Sequence, residues 1–300
     1  MADYKFLRYE THDDGAIVRI LLDRPEARNA QNRGLLVELD EAFLRAEADD
    51  RCRVVILGGT GPLFSSGHDM GSKVAMEEYQ THPTSSINGA TRLGAEKRML
   101  QEWHYYFENT RRWRNLRKIT VAQVQGTVFA AGLMLMWSCD LIVGADDVVF
   151  ADVVGTRLGM CGLEYFAHPW ELGARKTKEL MLTGDSIDVH EAHQLGMVSK
   201  VFPRAELEDK TLDFARRIAK LPTMTALMIK ESVNETQDNQ GFYNSLNACF
   251  TLHQLNHSHW AEVHEDGWPA AKPEDGIPSW KEAPAIVPAE KTTVRAADPI

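Results

Sequence analysis

The sequence predicts an α/β chain whose mixed or parallel sheet is covered by helices, on three observations. Apolar runs rich in β-branched residues occupy residues 16–22 (AIVRILL) and 53–57 (RVVIL). Between them Leu36, Leu39 and Phe43 recur at helical spacing, and after Ile119 the alternation starts again. Strands interleaved with helices favour parallel pairing, because a helix must carry the chain back to the same end of the sheet.

Taken in order, the first 60 residues read as strand, strand, helix, strand. The second cycle opens at residues 119–126 (ITVAQVQG), passes through an apolar segment at 128–137, and returns to strand at 140–143 and 148–151. Between the cycles, residues 71–118 are polar and rich in aromatics, with a helical stretch over about 95–114 that carries Trp103, Tyr105, Tyr106, Phe107 and Trp113. A segment of this kind is either a lid over a pocket or an insertion packed on the surface or a partner subunit. We place a core in residues 1–200, with 71–118 as a lid-like insertion, and a helical region in 201–265. Residues 266–300, where six prolines sit among Ala, Lys and Glu, are expected to form a poorly ordered Pro/Ala-rich tail.

Composition narrows the function. Lys+Arg 33 against Asp+Glu 43 gives a net charge of -10, which disfavours nucleic acid and anionic lipid as partners. Cys52, Cys139, Cys161 and Cys249 are scattered without a C-x-x-C pair, so they read as buried thiols of a reducing compartment. The charged start (MADYKFLRYETHDD) lacks the apolar stretch of a secretory signal, and no run approaches the roughly 18 apolar residues of a membrane span. A cytoplasmic protein is expected.

Several motifs fail on spacing. Gly58-Gly59-Thr60-Gly61 places Phe64 where a dinucleotide loop needs its third glycine, and Ser65 lacks the glycines of a nucleophile elbow. His190-Glu191-Ala192-His193 is one residue short of a zinc helix motif and reads as a solvated helix start. His253 and His257 are four residues apart with His259 nearby, but no third ligand recurs at helical spacing, so no metal is expected.

Two glycine-containing segments remain, Leu63 to Met70 and Gln125 to Leu133, each following an apolar strand. In the second, Ala130, Ala131 and Gly132 are small enough to let a ligand approach N–H groups that lack a helical partner. Such a turn suits an oxyanion, and it also occurs simply as close helix–strand packing.

Together with their surroundings these segments resemble the crotonase (enoyl-CoA hydratase/isomerase) superfamily. Asp23-Arg24-Pro25-Glu26-Ala27-Arg28-Asn29-Ala30 is similar to its RPxxxNA turn, and Phe64 to Met70 to its FSAGxDL loop. Val124 to Asp140 is similar to its V-x-G-x-x-x-G-G-G…CD segment, and Leu182-Thr183-Gly184 through Ala192 to Gly196-Met197-Val198 to its LTG…A…GLV signature. The set covers residues 5 to 260. The resemblance implies a crotonase-like ββα spiral with a C-terminal helical trimerisation region, hence a homotrimer or hexamer. It implies an acyl-CoA thioester substrate with no further cofactor, and an oxyanion hole built from the backbone N–H groups of His68 and Ala131. Relatives line the CoA path at positions corresponding to Ala27, Arg28, Ala30, Ser66, Gly67, His68, Asp69 and Met70, with Phe129 and Gly132 beside the thioester.

The departures bear on the reaction. Family hydratases use two glutamates; here the first position is Met134 and the second is Val154 or Gly155, none of which transfers a proton. Glu164, in a segment similar to the LGLxPGxGG turn, is the best substitute, with the His68 side chain, Asp152 and Tyr165 behind it. Its position is equally explained by a helix N-terminal carboxylate. Asp69 reads as a structural cap and His168 as a core histidine. An enoyl-CoA hydratase/isomerase-type enzyme of lipid or related carbon catabolism is expected, with a double-bond isomerase or C–C bond hydrolase ahead of a hydratase. The rival is a non-catalytic acyl-CoA carrier or regulator, in which Met134 and Val154 line the pocket.

Overall fold

The structure, a computed structural model, describes residues 4–81 and 92–278. In chain order the strands are β1 (Leu7–His12), β2 (Ile17–Leu22), β3 (Val54–Gly59), β4 (Ile119–Val124), β5 (Thr127–Phe129), β6 (Leu141–Ala145), β7 (Val149–Ala151), β8 (Ile187–Asp188) and β9 (Lys200–Phe202). The helices are α1 (Arg33–Ala48), α2 (Lys73–Thr81), α3 (Ala95–Glu102), α4 (Asn109–Arg114), α5 (Ala131–Trp137), α6 (Val154–Leu158), α7 (His168–Leu172), α8 (Ala174–Thr183), α9 (Val189–Gln194), α10 (Leu207–Ala219), α11 (Thr223–Asn239) and α12 (Phe242–Val263).

One sheet has the order β1-β2-β3-β4-β6-β9, and a smaller one the order β5-β7-β8. Only β1–β2 and β7–β8 pair antiparallel. The remaining pairs are parallel, as the alternation of strands and helices predicts. Every residue of β2, β3 and β4 is buried, which accounts for their largely apolar sequences, interrupted only by Arg19, Thr120 and Gln123: a strand covered on both faces has no solvent side to mark with alternating polar residues. The β1–β2 connection turns through Asp13, Asp14 and Gly15, all at positive φ.

Residues 95–114 form one helix, α3 running into α4 through a π-helical stretch at Trp103–Glu108. Tyr105, Phe107 and Trp113 are buried in the main core, and Trp103 and Phe107 pack on Phe250 of α12 at 5.3 and 4.8 Å between ring centroids. The wider π turn changes which residues share a face, and brings aromatic side chains inward on both sides of the helix. Asp188 caps α9 by accepting from His190 N and Glu191 N.

Two expectations need correcting. Cys52 is buried, but Cys161 is exposed on a turn, so the thiols are not uniformly core residues. Nor is the chain loose from Trp268 onward. Ala270 and Ala271 are buried, Ala271 N donates to Leu158 O, and the His264 ring meets Asp275 at 2.9 Å. Small alanines between the prolines let the segment dock closely at Ala270 and Ala271, and the turn beyond is held through Asp275. The rest of the expected tail, 279–300, lies outside the described residues, as does the 82–91 part of the lid-like segment.

A buried ion pair ties α11 to the large sheet. Lys230 Nζ donates to Asp140 Oδ2 at 3.0 Å and to Lys118 O at 3.1 Å, while Asp140 also accepts from Thr120 N. Asp140→Ala would strand a buried ammonium; a loss of about 3–5 kcal/mol is expected in urea unfolding. Glu171 gives a pH dependence of the opposite kind. Burial pushes its carboxyl up to about 7 from 4.5, against the pull of Arg114. A raised carboxyl favours the folded state at low pH, and that contribution fades as pH rises from 4.5 through about 7. Glu171→Gln should therefore leave the melting temperature unchanged near the lower limit, and stabilise by about 1–3 kcal/mol above the upper one.

Candidate active site

The loop after β3 and the chain from β5 into α5 lie back to back. Phe129 N donates to Ser65 O at 3.0 Å, and a Cβ on Gly67 would stand 3.1 Å from both Ala131 N and Phe129 O. A Cβ on Gly132 would come within 2.7 Å of Ser65 O. Gly67 is also at φ +93, so it is needed for both backbone angle and space. On the facing segment Ala130 holds φ 46 and ψ -125, a conformation rarely adopted by an L residue.

Most N–H groups of these segments are engaged. Ser66 N donates to Arg28 O, Gly67 N to Ser65 Oγ and Asp69 N to Gln31 O; Ala130 N donates to Ala151 O and Leu133 N to Ala130 O. Among the described residues, His68 N and Ala131 N donate to no protein acceptor. Ala131 N opens α5, where helix geometry supplies no partner, and His68 N lies at the same junction of segments.

Glu164 arrives from the turn after α6. Its carboxylate is buried and lies 3.7 Å from His68 Nδ1, although the residues are far apart in sequence. The His68 ring stacks on Tyr106 at 3.7 Å between centroids, and its Nε2 is buried without a partner. Glu164 also lies 3.7 Å from His253 Nε2 on α12. Next to it, Glu102 at the end of α3 faces His253 Nε2 at 3.5 Å and His257 Nε2 at 3.6 Å. Burial holds His68 below the ordinary histidine range. Burial acts the same way on His253, but Glu164 and Glu102 outweigh it and push that ring up to about 9. Burial would raise Glu102, yet its contacts with His253 and His257 bring it down to about 2.

The other residues singled out in the sequence divide into several groups. Ala27 and Ala30 are partly exposed, and Arg28 is exposed at positive φ beside the Ser66 backbone. Met70 is exposed and borders a cavity of about 570 Å³ lined also by Arg33, Tyr106, Met160, Glu102 and His257. Asp69 is not turned toward that space: its carboxylate pairs with buried Arg24 at 2.8 Å and accepts from Ser72 N and Oγ. Phe129 is partly buried, and Met134 and Val154 are buried among apolar neighbours. His168 Nε2 meets Asp152 Oδ2 at 2.9 Å deep in the core, where the contact ties α7 to the segment before α6. Tyr165 is fully buried.

Sequence reasoning missed Tyr106, Glu102 and the partnership of His253 with Glu164. The i, i+4 spacing of His253 and His257 was visible, but their carboxylate partner comes from α3, about 150 residues earlier. No local periodicity reports such a contact.

The Enoyl-CoA hydratase/isomerase family profile matches residues 12–266. A protein described as a putative enoyl-CoA hydratase of Mycobacterium tuberculosis is 62% identical over 96% of this chain and 92% of its own length. A 4-chlorobenzoyl coenzyme A dehalogenase of Arthrobacter is 29% identical over 84% of this chain and 86% of its own. The crystal structure of a probable enoyl-CoA hydratase from Mycobacterium smegmatis superposes with a TM-score of 0.79 at 39% identity, covering 89% of this chain and 100% of that one. With the family profile spanning most of the chain and the solved fold matching throughout, this protein belongs to the enoyl-CoA hydratase/isomerase family and has the crotonase fold.

Proposed function

We propose that the chain is an enzyme acting on acyl-CoA thioesters, with His68 N and Ala131 N donating to the thioester oxygen and Glu164 moving the proton. The observation that supports this most is the pair of unengaged N–H groups on adjoining segments, with the buried Glu164 carboxylate 3.7 Å from the side-chain ring of His68. The relatives point the same way. One is named for hydration of an enoyl-CoA and another for dehalogenation of an aromatic acyl-CoA, so what their names share is the CoA thioester.

The chemistry follows from where charge builds up. When Glu164 takes a proton from the acyl carbon skeleton, the electron pair left behind delocalises onto the thioester oxygen. Two fixed donors there stabilise the enolate, each worth about 2.7–4 kcal/mol when removed from a water-excluded site. Return of the same proton to a different carbon shifts the double bond and regenerates the carboxylate, so one acid/base group completes the cycle. Hydration would require a second group to activate water, and the corresponding positions are Met134 and Val154 or Gly155. A double-bond isomerisation therefore fits better than a hydration. The His68 ring, between Tyr106 and Glu164, orients that carboxylate. Arg28 at the surface is placed to meet a CoA phosphate.

The test is turnover of a series of 2-enoyl- and 3-enoyl-CoA thioesters, followed by the absorbance of the conjugated thioester. Incorporating lactic acid at residue 131 replaces that N–H by an ester oxygen, which removes one donor and adds no atom beside the turn at Ala130. It should lower kcat about 10²–10³-fold with unchanged circular dichroism. Glu164→Gln should lower kcat by about 10²–10⁴-fold while thioester binding persists. Micromolar binding without turnover of any thioester would identify a silent carrier, a reading to which the buried Met134 and Val154 lend support.

A further inference from the structure

Outside the proposed oxyanion site, α3 and α12 gather Glu102, His253 and His257, whose donor atoms all lie within 4.8 Å of one another. Each ring is fixed by its other nitrogen. His253 Nδ1 bonds Gly162 O at 2.8 Å, and His257 Nδ1 bonds Pro269 O. A carbonyl only accepts, so both Nδ1 atoms carry a hydrogen, and Nε2 is the atom each ring turns toward Glu102 and could offer to an ion. Gln254 donates to the Glu102 carboxylate and holds it in place. Such anchoring of the ring's other nitrogen is what orients histidine ligands in metal sites.

The spacing between the groups leaves room for a shared ion. The imidazole–carboxylate distances are 3.5 Å for His253–Glu102 and 3.6 Å for His257–Glu102. These exceed hydrogen-bond length. Elsewhere in the chain such pairs range from 2.9 Å at His168–Asp152 and His264–Asp275 to 3.7 Å at His68–Glu164. Donors bonded to one tetrahedral ion at about 2.0–2.2 Å stand roughly 3.4 Å apart, which matches the wider spacing. His253 Nε2 is buried and has no hydrogen-bond partner.

We propose that Glu102, His253 and His257 bind one divalent transition-metal ion through the carboxylate and the two Nε2 atoms. Two imidazoles and a carboxylate suit zinc and its first-row neighbours better than calcium or magnesium, which prefer oxygen ligands. Three protein donors leave a coordination position free. Glu102 and His257 both line the 570 Å³ cavity, so water or a ligand oxygen can reach it. The site is independent of the thioester reading, because metal binding is measured without any acyl-CoA.

The full chain, treated with a chelator and dialysed, would be titrated with Zn²⁺ by isothermal calorimetry, with metal content after gel filtration measured by elemental analysis. The expected result is one Zn²⁺ per chain at micromolar affinity or tighter. Affinity should fall at least 100-fold in Glu102→Gln and in His257→Ala, and stay unchanged in His259→Ala, which alters an exposed neighbour. Unchanged affinity in both Glu102→Gln and His257→Ala, or no stoichiometric binding by the parent chain, would overturn the assignment. Co²⁺ substitution with the visible bands of a four- or five-coordinate ion would support it further, and the spectrum of a hexa-aquo ion would contradict it.

Discussion

The close approach of two backbone segments, at Gly67 on one side and Ala130 to Gly132 on the other, is the constraint on which the proposed active site rests. Any side chain larger than glycine at residue 67 or 132 would meet backbone atoms of the facing segment. Several neighbouring amides satisfy one another or the adjacent strands, while His68 N and Ala131 N have no protein acceptor among the described residues. Strain at Ala130 is consistent with a turn held by its surroundings rather than by local preference. Because the donors are main chain, the pair persists even though His68 and Ala131 replace the smaller residues usual in the family.

That persistence explains how a family can vary its reaction while keeping its fold. The thioester oxygen is always where charge collects, so the proposed donors stay. The groups that move protons depend on which carbon reacts, and here they have shifted. Where the resemblance places the hydratase glutamates this chain has apolar residues, while Glu164 is buried and Glu102 half-buried nearby. Buried negative charge needs compensation, which explains why imidazoles surround both: His68 and His253 face Glu164, while His253 and His257 face Glu102.

Much of the fold was legible because its signals are local. Apolar, β-branched runs marked the buried parallel strands, and the spacing of Leu36, Leu39 and Phe43 marked α1. The family motifs marked the turns around Arg24, Gly67 and Gly132 because each is a stretch of consecutive residues whose backbone shape dictates its sequence. The Glu102, His253 and His257 cluster was hidden for the opposite reason, since its members meet only after α3 and α12 pack. The docking of residues 268–278 was missed because proline content signals a non-helical chain without saying whether that chain is packed. The aromatic helix was ambiguous from sequence, as a π-helical stretch breaks the periodicity that would have shown its inward face.

The central claim is that both main-chain donors polarise one thioester carbonyl, and isotope-edited infrared spectroscopy observes that bond directly. With a ¹³C-labelled acyl-CoA bound, the carbonyl stretch should fall below its frequency in water, and much of that shift should vanish when an ester replaces the amide N–H of residue 131. A bound carbonyl that vibrates as it does in water, or a shift that survives the ester, would contradict the account.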